Sequence, residues 1–425
     1  MTAETIVQTA QAVERRRARN LASRAPGLAD LLSVPGILSL SISNGLVQGF
    51  GQRMQGIVVA WLVLEMTGSK FWLGVVNGVP ALSVLLFSLL GGVVADTCNA
   101  RRVMVVSRSA LAVTALIAGV IVTIGLASPA YLLVYVLLVV AIAAIDMPVA
   151  RTYVYGVVGG PRLLAANAVQ SVFLNAISIV VAVSAGLLIG LGGPEAAFLL
   201  LAAGYALAVA LLLSTGADPQ AQAQRAANPL ADVIAGLAYV RRTPAVAALL
   251  ALAFLVPVAG VYFAMVPVFA RDVLAVGAGG LGVLVASFAV GGLAGSLYLA
   301  AGRGFRRPGL ALTVLGAAFG VGMMAFALSQ SFLLSCAISL LMGLLAAFWQ
   351  NLLGVLLQVV AAPEMRGRVT SVFTMGFQLV GLGWLAGGFA GSVAGVEAVV
   401  FAAGVVFSGL SLAIFGLSPQ LRRIG

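Results

Sequence analysis

Few side chains in this sequence can do chemistry, and their types restrict what that chemistry is. Among 425 residues there is no histidine, and the cysteines are Cys98 and Cys336. Histidine-based catalysis and zinc-protease motifs are excluded, no metal-ligand set can be assembled, and no cofactor is implied. Lys70, the sole lysine, lies in a short polar turn, so no phosphate-binding loop exists. No nucleophile–base pair presents itself, which argues against an enzyme. What remains is a small set of charges and amides inside long apolar runs.

Asp146 and Arg53 stand out in that set. A charge near the centre of a bilayer costs about 2.5–3.5 kcal/mol on insertion scales, so each must face water, a partner or a ligand. A carboxylate in such a place can carry a proton, because burial favours its neutral form while a nearby guanidinium favours the ionised one. Asp146 is therefore the candidate for proton coupling. The alternative is a permanently ionised gate residue paired with Arg101 or Arg102, with Arg151 five residues further on. Arg53 can meet an anionic group of a bound molecule, pair with a carboxylate such as Asp146, or stabilise a helix end. Asn44, Gln48, Gln52 and Gln55 recur at spacings of four, four and three, which puts them on one helical face. That face is expected to line a polar cavity, with Arg53 flanking it. Tyr262, Trp349, Gln350, Asn351 and Gln378 are the matching candidates from the second half; each can equally serve as a contact between helices.

These residues need elements to hold them, and the composition says which. With 62% hydrophobic and 8% charged residues and a mean hydropathy of +1.15, the chain cannot cover its apolar surface with polar groups. It reads as an all-α membrane protein; the short alternating segments of a β-barrel do not occur. Twelve transmembrane helices are expected at 36–66, 71–95, 103–126, 131–157, 163–190, 195–214, 244–270, 280–302, 310–329, 333–361, 369–394 and 396–417. The one long internal polar stretch, 215–243, divides them into six-helix blocks at 36–214 and 244–417, flanked by tails at 1–35 and 418–425. The first 33 residues lack the apolar core of a secretory signal and read as a cytoplasmic, partly amphipathic tail.

The net charge of +11 is distributed as orientation bias rather than as a nucleic-acid footprint. Arg15–Arg17, Arg101/Arg102, Arg241/Arg242, Arg303/Arg306/Arg307, Arg366/Arg368 and Arg422/Arg423 all fall on one side of a twelve-span topology, with Arg53, Lys70 and Arg271 the exceptions. The halves also echo each other. Val169–Phe173 is answered by Val369–Phe373, and Leu73–Val76 by Leu281–Leu284, at offsets of about 200 residues. Such a parallel repeat is how many transporters are built. Between the second and third helices, Gly91–Arg102 packs Asp96, Arg101 and Arg102 into one membrane-face turn in which Asn99 tolerates a left-handed conformation.

That turn, with Gly92, Asp96, Arg101 and Arg102, resembles the signature of the major facilitator superfamily. Further segments are similar to its drug:proton antiporter branch, which includes bacterial enterobactin exporters (transmembrane secretion effectors). They are Gly51–Gln55 with Trp61–Val63 and Thr67–Ser69, Asp146-Met147-Pro148-Val149-Ala150-Arg151, Pro267–Arg271 and Pro363–Arg368. The resemblance implies two pseudo-symmetric six-helix bundles that work by alternating access. It also implies a cytoplasmic gate of Gly92, Asp96, Arg101, Arg102, Asp146 and Arg151. Thr97 and Ala100 stand where basic residues are usual, so the gate is expected to hold fewer charge pairs. Val181-Ala182 replaces the fifth-helix Gly-Pro of antiporters, which weakens the case for proton coupling.

The function implied is secondary transport in a bacterial inner membrane by a functional monomer with both termini cytoplasmic. Its partners would be membrane lipid and a small-molecule substrate, with protons as the candidate coupling ion. The implied direction is export of an amphipathic drug or siderophore-like molecule. Uptake of a vitamin or similar solute is the alternative, and a non-transporting scaffold or sensor is the alternative of another class.

Overall fold

The computed structural model describes residues 34–159, 162–215, 238–300, 305, 307–362 and 365–422. Among them are twelve membrane-spanning helices. We label them α1 (37–67), α2 (Lys70–Thr97), α3 (Ala100–Thr123), α4 (Pro129–Val158), α5 (163–192), α6 (194–213), α7 (Pro244–Val273), α8 (Gly277–Ala300), α9 (Pro308–Ala327), α10 (Phe332–Val360), α11 (Arg366–Ala394) and α12 (Val396–Leu417). The arginine-rich tail 1–33 and most of the 215–243 linker lie outside the described residues.

Helix starts follow local chemistry. Ser128 Oγ accepts from Tyr131 N at 3.1 Å ahead of Pro129, and Asn99 Oδ1 accepts from Arg102 N at 3.0 Å. Asn99 is thus an N-cap in the extended region (φ −64°), not a left-handed turn residue. The turn is also shorter than the sequence suggests, because α2 stays helical to Thr97 and leaves Cys98-Asn99 as the connection. Between α5 and α6 the chain turns at Gly193 (φ 77°), a conformation that favours glycine, and Pro194 restarts the helix.

Three spans are interrupted where hydropathy gives no sign. In α1, Phe50–Met54 is π-helical; α7 breaks at Phe254-Leu255 and α11 at Leu379. Pro257 explains the break in α7, since it has no N–H to donate to Ala253 O. The two breaks are packed together. Gly383 of α11 lies against Pro257 O, and a Cβ on Gly260 of α7 would sit 2.6 Å from Val380 O.

The packing repeats with a shift of six helices. Helix α1 packs on α5 as α7 does on α11, α2 on α4 as α8 on α10, and α3 on α6 as α9 on α12. Between the bundles, α2 crosses α11 and α5 crosses α8. The Leu-Gly-Val echo marks these crossings: a Cβ on Gly388 would lie 2.6 Å from Gly74 Cα, and one on Gly282 would lie 2.8 Å from Ala182 O and 3.0 Å from Gly186 Cα. Without side chains at these points the helices approach to backbone contact, which is how apolar helices associate where no hydrophobic effect drives them. Both crossings lie toward the end of the molecule opposite the start of α1 and the end of α12, and Arg271 Nη1 donates to Leu64 O across the bundles at that same end. Leu191, Leu333 and Leu417 are among the exposed leucines.

Candidate substrate cavity and its buried ion pair

Between the bundles lies a cavity of about 1210 Å³ lined by residues of both. The glycine crossings close it at one end, and Ala150, Arg151, Asn167 and Ser171 extend its lining toward the end that carries the termini.

The first bundle contributes the polar wall. Asn44, Gln48, Arg53 and Gln55 all line the cavity, as their spacing suggests; the Gln52 side chain lies outside the described residues. The π-helical turn adds backbone between Gln48 and Gln55 and so shifts the helical phase that brings Arg53 and Gln55 to one side. Arg53 is half-buried and, among the described residues, has neither an ion-pair nor a hydrogen-bond partner.

The second bundle contributes rings. Tyr262, Trp349, Gln350 and Gln378 line the cavity, joined by Phe263, Phe288 and Trp384. Tyr262, Phe263 and Phe288 pack as a cluster, with centroids 5.2 Å apart for Tyr262–Phe263 and for Phe263–Phe288. Tyr262 OH and Ser339 Oγ are 3.2 Å apart. Asn351 is exposed and is not among the residues lining the cavity; its Nδ2 donates to Ala347 O at 2.8 Å. One residue beyond Gln350 is a rotation of about 100°, enough to turn it away from the cavity.

Asp146 is buried on α4, and its partner is a residue that the charge inventory leaves out. Arg108 of α3, fully buried, places Nε 3.3 Å from Asp146 Oδ1 and Nη2 3.4 Å from Oδ2. Ser107 Oγ donates to Oδ1 at 2.6 Å. The guanidinium also donates to Ser43 Oγ at 2.5 Å and to Asn44 Oδ1 at 2.6 Å. Ser43 Oγ in turn donates to Ala208 O at 2.5 Å, and Asn44 Nδ2 donates to Gln170 Oε1 at 3.0 Å. One ion pair thereby ties α1, α3, α4, α5 and α6 together through a chain of hydrogen bonds.

The expected pairings of Asp146 with Arg101, Arg102 or Arg53 do not occur. Arg101 Nη2 instead donates to Leu213 O at 2.8 Å, fastening the start of α3 to the end of α6. Position 100, where a basic residue is usual, is a buried alanine. Arg108 lies eight residues further on, about 12 Å deeper into the span. A signal was present: Ser107-Arg108-Ser109 is a polar triplet inside an otherwise apolar run. Arg151 is exposed and lines the cavity mouth. Gly92 and Asp96 fall in the last turns of α2, and their side chains lie outside the described residues.

Comparison with known proteins accounts for this architecture. Enterobactin exporter EntS of Escherichia coli O6:K15:H31 (strain 536) is 26% identical over 323 residues, covering 75% of this chain and 76% of that protein. EntS of Escherichia coli O139:H28 (strain E24377A) is 25% identical over the same length. Among solved structures, a POT family transporter in complex with 5-aminolevulinic acid superposes with a TM-score of 0.73 at 11% identity, covering 92% of this chain and 97% of that one. A bacterial homologue of the human lysosomal transporter Spinster, inward-facing and occupied, gives 0.71 at 16% identity, with 91% and 96% covered. The sequence model of the Major Facilitator Superfamily matches residues 42–384, and the chain belongs to that family of membrane transporters.

Proposed function

We propose that this transporter exports an amphipathic small molecule across a bacterial inner membrane by alternating access, as a functional monomer. The observation that carries the reading is a cavity lined by both bundles and closed at one end by glycine crossings. Rocking of the bundles about that cavity would open the closed end and close the open one. Arg101, Arg102, Arg241, Arg242, Arg366, Arg368 and Arg422 all belong to the end with the termini, and an arginine excess marks the cytoplasmic side. Both termini, the 215–243 linker and the open mouth are then cytoplasmic, and the bundles are 36–214 and 244–417. Similarity to exporters at 26% identity supports the outward direction over uptake. In the outward-open state Gly92, Asp96, Arg101 and Arg102, with Asp146 and Arg151 nearby, would hold the cytoplasmic end shut.

Proton antiport is a second reading that one observation favours. Among the described residues Asp146 is the sole carboxylate lining the cavity, and protonation there would release Arg108. The alternating-access reading is tested by electron–electron spin distances in a variant with Cys336→Ser. One label pair is Cys98 with Ser371→Cys at the terminal end; the other, with Cys98→Ser as well, is Glu65→Cys with Glu397→Cys at the opposite end. Two interconverting distances at each end, shortening at one as they lengthen at the other, are expected. A single fixed distance at both ends across pH and lipid composition would identify a rigid scaffold or sensor instead.

A further inference from the structure

We infer that the cavity takes a substrate with an anionic group on a flat aromatic body, and that Arg53 is the residue that meets the charge. This rests on the cavity being the transport site and goes further by naming what fits it. The wall is divided by chemistry. Among the described residues its charged members, Arg53, Arg108, Asp146 and Arg151, all come from the first bundle, whereas the second bundle contributes rings and amides. Asp146 and Arg108 satisfy each other. Among the described residues Arg53 has no partner, on a helix where hydrocarbon or bulk protein would penalise it. Its place on the π-helical turn Phe50–Met54 fits that assignment, since such turns recur at functional sites.

Among the described residues the lining offers Arg53 no carboxylate other than Asp146, which Arg108 and Ser107 already occupy, so an anionic group is the complement the guanidinium lacks. A cationic aromatic would meet Arg53 without a free carboxylate to offset it. The ring cluster of Tyr262, Phe263 and Phe288 supplies a surface for an aromatic body to stack on.

A matched set of probes separates charge from shape: 2-naphthoate, neutral 2-naphthamide and cationic 2-naphthylmethylammonium. Binding to the full-length protein in zwitterionic nanodiscs is read by quenching of tryptophan fluorescence against empty nanodiscs, since Trp349 and Trp384 line the cavity. Naphthoate should bind about tenfold or more tighter than naphthamide, the range of a charge-assisted hydrogen bond, and the ammonium compound should bind weakest. Arg53→Gln should remove the preference while leaving naphthamide binding in place, which also reports an intact fold; Arg53→Lys should keep most of it. Equal binding of naphthoate and naphthamide would overturn the charge assignment yet leave the cavity standing as a transport site. So would a naphthoate preference that survives Arg53→Gln. Tighter binding of the cation, or no binding by any of the three, overturns the substrate class altogether. The spin-distance experiment answers separately whether the bundles move.

Discussion

Replacing Asp146 by asparagine changes one charge and almost no volume, which makes it the sharpest probe of the buried pair. In the wild-type protein the fully buried Arg108 guanidinium divides its donors among both Asp146 oxygens, Ser43 Oγ and Asn44 Oδ1. An asparagine keeps one acceptor. Its amide group must then face either Arg108 Nη2 or the Ser107 hydroxyl, both of which are donors in the present arrangement. The larger effect is electrostatic, because the fully buried Arg108 keeps its charge after losing its counter-ion. Removing one member of a buried pair costs about 3–5 kcal/mol. Arg108→Gln should cost a similar amount, leaving Asp146 with Ser107 as its one remaining donor.

The double variant Asp146→Asn/Arg108→Gln removes both charges and should lose much less than the sum of the singles, with a coupling energy of up to about 3 kcal/mol. Thermal unfolding of the purified protein, followed by tryptophan fluorescence and size exclusion, gives the comparison. Each single variant should melt several degrees below wild type and the double variant should recover part of the loss. A single variant that melts with wild type, or a double variant as low as the two losses added, would show that the pair is not what holds α1, α3 and α4 together.

Gly282→Val places branched carbon where Ala182 O and Gly186 already touch the backbone, so it should destabilise the conformation closed at that end by about 1–3 kcal/mol. The spin distances between positions 65 and 397 should then shift toward the open population. Asn351→Leu, at an exposed position outside the cavity lining, should leave probe binding and expression unchanged, whereas Gln350→Leu should alter binding. If protons drive export, proton-gradient-dependent flux should disappear in the Asp146→Asn/Arg108→Gln variant while probe binding survives; retained flux would assign Asp146 to structure alone. Efflux of 2-naphthoate from proteoliposomes should rise when valinomycin sets an interior-negative potential, and Arg53→Gln should lower the flux at every potential, because the charge moved per cycle is the substrate's own.

The fold was legible because it is written in run length. An apolar stretch of about twenty residues has one arrangement available in hydrocarbon, and the breakers between stretches set the helix ends to within a few residues. The glycine echo at Leu73–Val76 and Leu281–Leu284 carried more than symmetry, since it marks where the bundles touch. The cavity face of α1 was also readable in part, because amides at helical spacing cannot all face lipid, and Asn44, Gln48 and Gln55 line the cavity. What hydropathy could not show is geometry that depends on partners. The break at Leu379 has no proline behind it and makes sense only against the break that Pro257 forces in α7. Arg108 was obscured by its nearness to the Arg101/Arg102 cluster, although two further turns of helix carry it from the membrane face into the core. Asn351 shows the converse: a polar residue inside a span can satisfy itself on its own backbone and face outward.

The two arginines of the N-terminal bundle therefore divide the electrostatic work. Arg108 is neutralised within the protein and fixes α1 relative to α3, α4, α5 and α6, so the wall that presents Arg53 moves as one piece. On the proposed reading Arg53 is left for an anionic substrate, and this has a consequence for energetics. An anion bound there makes the loaded cavity locally neutral, whereas the empty cavity returns carrying the extra positive charge. Each cycle then moves one negative charge outward. Across an interior-negative membrane that step is favourable by about 2.3 kcal/mol per 100 mV, equivalent to a concentration ratio of roughly fifty. A transporter built this way needs no proton to export an anion, which agrees with a cavity whose one described carboxylate is already engaged.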